Sequence, residues 1–262
     1  MTHELKKGLT VENLVSIVIP CFNHGIYLKE AIESVFNSTY KLVEVIIVDD
    51  GSTDQTAEVA LEIMGIHPNV FYIYQDNQGP ASARNRGIRA AEGEFVLPLD
   101  ADDKISDQYI EKALEAIRND PKIKVVYCEA EYFGLKSGIW NLKKFSLKKL
   151  AIDNMIFCSA MFRKKDWEDV GGYSRELVGG WEDWEFWISL LKDGGKVHKL
   201  DFVGFFYRIH QHSRRKSTTK QIEKETVDFI NHRHRDFVVS QLRGPLRVKR
   251  KYSLFINFFF SF

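Results

Sequence analysis

Glu94-Phe95-Val96-Leu97-Pro98-Leu99-Asp100-Ala101-Asp102-Asp103 is the stretch on which the fold turns. An apolar run of strand length ends in three carboxylates within four residues. Ionised carboxylates this close repel one another and lose hydration on burial, so the cluster needs a partner. A hard divalent cation that takes oxygen ligands is the natural one. An EF-hand loop beginning at Asp100 would put Asp102, Ser106, Gln108 and Glu111 at usable positions. That loop requires a glycine sixth and a ligand fifth, where this chain has Ile105 and Lys104. The EF-hand is therefore excluded, and a solvated strand-end loop stands as the plain alternative.

Working outward, strands alternate with amphipathic helices through the first hundred residues. Val15-Ser16-Ile17-Val18-Ile19 is β-branched and almost wholly apolar, as a strand buried on both faces should be. Leu28, Ala31, Ile32, Val35 and Phe36 then recur at helical spacing. Val45-Ile46-Ile47-Val48 reads as a second strand ending in Asp49-Asp50-Gly51-Ser52, with Ser52 or Thr53 as cap of a helix carrying Ala57, Ala60, Leu61 and Met64. Val70–Tyr74 reads as a third strand, and Pro80 suits the first turn of a helix from about Ala81 to Ala91 that holds Arg84 and Asn85. The opening stretch is the fourth strand. Such alternation gives a parallel, doubly wound sheet, whose ligands bind beyond the carboxyl ends of the strands. Pro20, Asp49, Asn77 and Asp100 all lie just past those ends.

Beyond Asp103 the pattern loosens. Ser106 is placed to cap a helix bearing Tyr109, Ile110, Ala113, Leu114 and Ile117; Val125–Cys128 and Ile156–Phe162 read as strands. Asp166–Tyr173 reads as a short helix stopped by Gly171-Gly172, and Trp184, Trp187, Ile188 and Leu191 mark the buried face of another that ends at Gly194-Gly195. Phe202–Arg208 is the last strand, running into Ile209-His210-Gln211-His212-Ser213.

A chain of 262 residues is long enough to bury a full core. Its net charge of +1 predicts no general affinity for polyanions, and no recognition fold for nucleic acid accompanies the charge. The charge is uneven, since Ser213–Phe262 holds twelve Lys/Arg against four Asp/Glu, leaving −7 on the remainder. Three widely spaced cysteines, Cys21, Cys128 and Cys158, argue against a disulfide framework or structural zinc and fit a reducing, cytoplasmic setting. Residues 1–14 show no apolar signal-peptide core, and no stretch reaches the eighteen or so apolar residues of a membrane span.

Six segments now carry a resemblance. Ser16–Pro20 with Asn23, Val48–Asp54, Asn77-Gln78-Gly79, Ala83-Arg84-Asn85-x-Gly87, Leu99–Asp103 and Trp181-Glu182-Asp183-Trp184 occur in the order found in family-two glycosyltransferases, over roughly residues 14–215. The resemblance implies a GT-A fold: a Rossmann-like doubly wound mixed sheet with a C-terminal acceptor-side subregion and a helical tail. It implies an N-terminal extension (1–13), a nucleotide-sugar-binding half (14–104), an acceptor-binding and catalytic half (105–215) and a basic-aromatic tail (216–262). The implied activity is inverting transfer from a nucleotide sugar, most simply a UDP-sugar, by a hexosyl- or N-acetylhexosaminyl-transferase. The acceptor would be a hydroxyl of a cell-surface polysaccharide or lipid-linked glycan.

Carried over residue by residue, the resemblance gives Asp102 as metal ligand and Asp100 to the ribose and a metal-bound water. A diphosphate leaving group cannot sit beside carboxylates without Mn²⁺ or Mg²⁺ between them. Asp49 would accept from the base, while Asp50 orients the loop or the Ser52 turn; Pro20, Phe22, Asn23, Asn77 and Arg84 would complete the donor nucleotide site. The plain reading of Asp49–Ser52 is a turn with a helix cap. Asp183 would be the general base that deprotonates the acceptor hydroxyl, with Glu182 and Trp181 toward the acceptor. A helix N-terminus favours the ionised carboxylate, whereas the surrounding tryptophans raise its pKa by desolvation; the tryptophans also read as core. Arg208, His210 and Ser213 would meet the diphosphate, with His210 also a candidate metal ligand and His212 its alternative.

The tail places Arg247, Lys249, Arg250 and Lys251 before a run of aromatics from Tyr252 to Phe262. That order suits an anionic membrane surface at the inner face of the cell membrane, or a helix packing back on the domain. Two other classes compete: an inactive sugar-nucleotide-binding partner subunit, and a nucleotidyltransferase. The latter wants a glycine-rich basic phosphate loop, which Pro20-Cys21-Phe22-Asn23-His24-Gly25 is not.

Overall fold

The computed structural model describes residues 10–177, 179–211 and 219–260. Five strands form the first sheet in the order β3-β2-β1-β4-β8: β1 (Val11–Cys21), β2 (Val43–Asp49), β3 (Val70–Tyr74), β4 (Gly93–Pro98) and β8 (Phe162–Arg163). The first four pair in parallel and β8 joins the edge antiparallel, giving the expected mixed α/β sheet. Helices α1 (Gly25–Phe36), α2 (Thr56–Ile66) and α3 (Pro80–Ala90) make the crossovers. Val15, Ile17–Ile19, Val45–Val48 and Phe95–Leu97 are essentially inaccessible, as helix cover on both faces demands. Each such side chain contributes about 1.5–3 kcal/mol on leaving water.

A second, four-stranded sheet was not foreseen. It runs β5-β9-β6-β7, with β5 (Lys104–Ile105), β6 (Ile123–Gly134), β7 (Gly138–Trp140) and β9 (Lys196–Ile209). The β6–β9 pairing is parallel and long, from Ile123↔Lys196 to Gly134↔Ile209. Helix α4 (Tyr109–Asn119) packs on β6 and β9, α6 (Lys164–Val170) on β4 and β8 of the first sheet, and α7 (Glu182–Leu191) against α6 and the short α5 (Leu147–Leu150). The tail folds into α8 (Lys220–Arg233), α9 (Arg235–Leu242), a 3-10 turn at Arg250–Tyr252 and α10 (Ser253–Phe260).

Several local expectations are corrected. Neither Ser52 nor Thr53 caps α2, which starts at Thr56; Thr56 N instead donates to Asp54 Oδ1 at 3.0 Å. Ser106 does not cap α4 with its side chain; its carbonyl accepts from Tyr109 N. Ile156–Phe162 is irregular except at its end, where Met161 bridges Val126 and β8 begins. The run is apolar because Ile156 and Ala160–Phe162 are buried between the sheets, an environment that hydrophobicity alone does not distinguish from a strand. The boundaries at 13/14 and 104/105 fall inside β1 and β5.

Gly87 controls how α3 meets the sheet. A Cβ there would lie 2.4 Å from Val18 Cγ1 and 3.0 Å from Val48 Cγ2, so glycine lets the helix approach β1 and β2 closely. That approach sets the level at which Arg84, one turn earlier, emerges at the carboxyl ends of the strands.

Candidate active site

The strand-end carboxylates divide their work. Asp49 Oδ1 accepts from Ser52 N (2.8 Å) and Oδ2 from the Tyr72 hydroxyl (2.7 Å), so both its oxygens are engaged and the residue is buried. Asp49 thus holds the Ser52 turn. Asp50 orients a different loop from the Ser52 turn. Its carboxylate accepts from Gln75 Nε2, Gln78 N and Gly79 N, fixing the loop that carries Asn77 ahead of α3. Asn77 itself is exposed, as are Phe22 and Asn23, while Pro20 is half-buried within β1. Asn23 takes a left-handed φ of 54° and its Oδ1 accepts from Thr53 N at 2.8 Å.

Arg84 lies at the centre. Its Nη2 donates to Asp100 Oδ1 and its Nη1 to Glu182 Oε1, both at 2.7 Å, with the side chain 4 % exposed. One guanidinium therefore joins the donor-side carboxylate to the start of α7. Burial alone would push Asp100 up, but Arg84 outweighs it and holds that carboxyl below its ordinary range. Glu182 faces Arg84 and is itself buried. Asn85, beside Arg84 in the sequence, is structural: its side chain holds Tyr173 N, Tyr173 O and Trp167 Nε1.

Asp102 turns toward two histidines. Its Oδ2 is 2.7 Å from His210 Nε2, and its Oδ1 is 3.9 Å from His24 Nδ1. The 108 positions between Asp102 and His210 are closed by β5 pairing with β9, where Lys104 faces Phe206 and Ile105 faces Phe205. Arg208 reinforces that closure. Its backbone N donates to Asp103 Oδ1 (2.8 Å), its Nε to the Asp102 carbonyl (2.8 Å), and its Nη2 pairs with Glu30. The guanidinium lies over the Tyr27 and Phe133 rings at 4.7 and 4.2 Å. Asp103, without a role in the sequence, anchors this closure. Burial, then Asp102 and Asp100, drive its carboxyl well above the ordinary range, and among the described residues its Oδ2 has no partner. His212 and Ser213 lie outside the described residues.

Among the described residues no group of three or more His, Cys, Asp or Glu is arranged to hold a metal ion. The Asp102–His210 pair still fits Mn²⁺ or Mg²⁺ as far as two protein ligands go. An oxygen and an imidazole donor stand together there, donor types that such an ion takes.

Asp183 sits in the first turn of α7, half-buried. Its Oδ2 accepts from Asn154 Nδ2 at 2.7 Å and its Oδ1 from Trp184 N at 2.8 Å. Burial and the neighbouring Glu182 charge push its pKa up to about 6, against Arg84 and these two donors. Desolvation thus outweighs the helix terminus. Trp184 and Trp187 are core, donating to Leu150 O (2.6 Å) and Ile156 O (3.0 Å). Trp181 is half-buried at the helix N-cap with a left-handed φ of 62°, and the Arg250 guanidinium lies 5.2 Å over its ring. Reading the sequence missed His24, Asn154, Cys158 (3.4 Å from Asp100 Oδ2) and Arg250. His24, next to the Asn23 segment, and Arg250, in the basic run before the tail aromatics, stood near visible motifs.

The profile of glycosyl transferase family 2 matches residues 16–173. Chondroitin synthase of Escherichia coli is 32% identical over 189 residues, covering 71% of this chain and 27% of that enzyme. Hyaluronan synthase of Pasteurella multocida is 29% identical over 201 residues, covering 75% and 20%. The chain thus spans only about a quarter of the length of these relatives. Among solved structures, S. aureus TarS 1–349 in complex with UDP-GlcNAc superposes with a TM-score of 0.71 at 20% identity, over 95% of this chain and 73% of that one. The mannosyltransferase PcManGT of Pyrobaculum calidifontis, in complex with GDP-Man and Mn²⁺, gives 0.65 at 20% identity over 82% and 64%. With the family model covering residues 16–173, more than half of its length, the chain belongs to glycosyl transferase family 2 and carries its GT-A fold.

Proposed function

We propose that this chain transfers a sugar, with inversion, from a nucleoside diphosphate sugar to a hydroxyl of a glycan or lipid-linked acceptor. The observation that carries the reading is the Arg84 bridge, which joins Asp100 at the carboxyl end of the sheet to Glu182, the residue before Asp183. A base for the acceptor and a floor for the donor are thereby held in one rigid constellation. Asp183, with its pKa raised to about 6, is ionised at neutral pH yet basic enough to take a proton from an attacking hydroxyl. Asn154 and Trp184 N fix the orientation of its carboxylate.

On the donor side, Pro20, Phe22, Asn23, Asp49 and Asn77 frame the nucleotide, Asp49 chiefly by holding the Ser52 turn. Asp102 and His210 would hold the divalent metal, and Arg208 with Ser213 would face the diphosphate. A bound Mn²⁺ or Mg²⁺ supplies neutralisation of the departing diphosphate. Trp181 and Glu182 border the acceptor. UDP as the nucleotude carrier is supported by the UDP and UDP-GlcNAc complexes of TarS, and a polysaccharide acceptor by the chondroitin and hyaluronan synthases. A lipid-linked acceptor would place the enzyme at the inner face of the cell membrane.

The test is a panel of nucleotide sugars assayed for turnover with and without Mn²⁺, on the intact chain and on Asp183→Asn. Metal-dependent turnover of one donor is expected, with the variant losing transfer by about 10²–10⁴-fold while keeping donor affinity. Donor binding without turnover in either protein would point to an inactive partner subunit. An active Asp183→Asn would remove Asp183 as the base.

A further inference from the structure

Helix α10 is amphipathic in the wrong sense for a helix on a water-facing surface. It buries its polar residues Ser253 and Asn257, one turn apart, and exposes Phe255, Phe258 and Phe259 by 65, 65 and 61%. The buried side is well held. Asn257 Nδ2 donates to the Leu242 and Pro245 carbonyls, its Oδ1 accepts from Arg247 Nε, and Ser253 Oγ accepts from Arg247 N. The phenyl groups therefore face outward because the helix is anchored through its polar side. A surface helix in water puts its apolar stripe inward, so this orientation calls for an apolar neighbour.

The surroundings identify that neighbour by charge. Phe255, Phe258 and Phe259 line a groove of about 510 Å³ together with Leu254, Lys148 and Arg243. From Phe237 to Phe260 the chain holds Arg243, Arg247, Lys249, Arg250 and Lys251 and no Asp or Glu. The facing segment 143–149 adds Lys143, Lys144, Lys148 and Lys149, again without an acid. Asp153, just beyond it, is paired with Arg250 at 2.7 Å. Aromatic side chains flanked by lysine and arginine from two separate segments match a bilayer interface, where rings enter the acyl boundary and cations meet anionic headgroups.

We propose that the α10 face, with the lysines of segment 143–149, docks on an anionic lipid surface. Docking there orients the catalytic half, because Arg250, at the base of this face, lies over Trp181 and Trp184 at the start of α7. The acceptor side would then open near the membrane plane. The inference concerns binding alone and stands apart from the proposed transfer chemistry.

Vesicle flotation of the full chain tests it, using phosphatidylcholine with or without phosphatidylglycerol. Binding is expected only to the anionic vesicles and should weaken as salt is raised. Each basic residue near such a surface strengthens binding by about five-fold, so K148E/K249E/K251E should lower it by well over a hundred-fold. F255S/F258S/F259S should also abolish flotation while leaving the circular dichroism spectrum and donor turnover unchanged, since these side chains are exposed. Flotation by the phenylalanine variant equal to that of the unaltered chain would overturn the proposal. So would dimerisation without lipid that this variant abolishes, which would make the face a contact between copies. Tight heparin binding combined with no flotation would assign the cations to a soluble polyanion and equally overturn it.

Discussion

Asn154 donates from Nδ2 to Asp183 Oδ2 at 2.7 Å, across 29 positions of sequence. The bond favours the ionised carboxylate, while burial and Glu182 work against it and leave the group at about 6. Asn154→Ala should therefore raise this pKa further. A hydrogen bond to a charged group contributes about 1.5–3 kcal/mol, and one pKa unit corresponds to about 1.4 kcal/mol, so a shift of about one to two units is expected. A base acts when deprotonated, so the acid limb of the kcat/KM profile should move up by that amount, with the alkaline plateau nearly kept. An unmoved acid limb would show that Asn154 does not tune Asp183.

Arg84 is the residue whose loss should be felt on both sides of the site. Arg84→Met leaves Asp100 and Glu182 facing each other without their shared cation. Removing one partner of a buried pair destabilises by about 3–5 kcal/mol, which for a chain of this length lowers Tm by roughly 10 °C. The sign with pH follows from the depressed Asp100. Stability from a lowered carboxyl is present above its unfolded pKa of about 3.9 and lost as pH falls through the folded value. The gap between the two proteins should accordingly be widest near neutrality and narrow in acid. Thermal melts of both across that range measure it. Arg84→Lys should recover only part, since one ammonium lacks the fork that reaches two carboxylates.

Most of the donor half was legible because its determinants are local. Val15–Ile19 and Val45–Val48 could only be strands covered on both faces, and Pro80 marked the start of α3 at its true position. Val125–Cys128 and Phe202–Arg208 were legible as strands within β6 and β9, but their joining in a second sheet was not, and β5 has only two residues and exists by pairing with β9 about a hundred positions away. The same pairing brings His210 to Asp102, so the family resemblance suggested the histidine while only tertiary structure could place it. Arg84, Asp100 and Glu182 were each read as site residues, yet their pairing was not, since nothing local links positions 84 and 182. The tail was read as basic and aromatic, but α10 proves inverted, which depends on what Ser253 and Asn257 meet.

The metal reading makes a claim separable from catalysis. Asp102 and His210 are the described residues that would ligate Mn²⁺ or Mg²⁺. Calorimetry of UDP binding with and without Mn²⁺ should show tighter binding with metal in the unaltered chain. Asp102→Ala should erase that difference, and His210→Ala should reduce it by about ten-fold or more. Equal metal enhancement in the Asp102 variant would remove the aspartate from the metal site.

The final prediction concerns how the tail holds the catalytic helix. Glu185, two residues after Asp183, is fully buried, and its Oε1 meets His234 Nε2 at 2.6 Å, Ser189 Oγ at 2.8 Å and Arg233 Nε at 3.1 Å. The tail thus attaches to α7 through Arg233 of α8 and through His234 at the α8–α9 junction, while Val227, Ile230, Phe237 and Val238 are buried in the core. His234→Ala should expose the difference between an integral tail and a loosely attached one. Losing a buried partner of that carboxylate should cost about 3 kcal/mol, or roughly 10 °C in Tm, and speed proteolysis between α7 and α9. Glu185→Gln should cost less, because the amide keeps the shape and leaves no bare charge behind. Asp183 shares the helix, so kcat should fall with His234→Ala even well below the melting temperature. A melting temperature and kcat both unchanged in His234→Ala would mean that the tail neither stabilises the domain nor steadies the base.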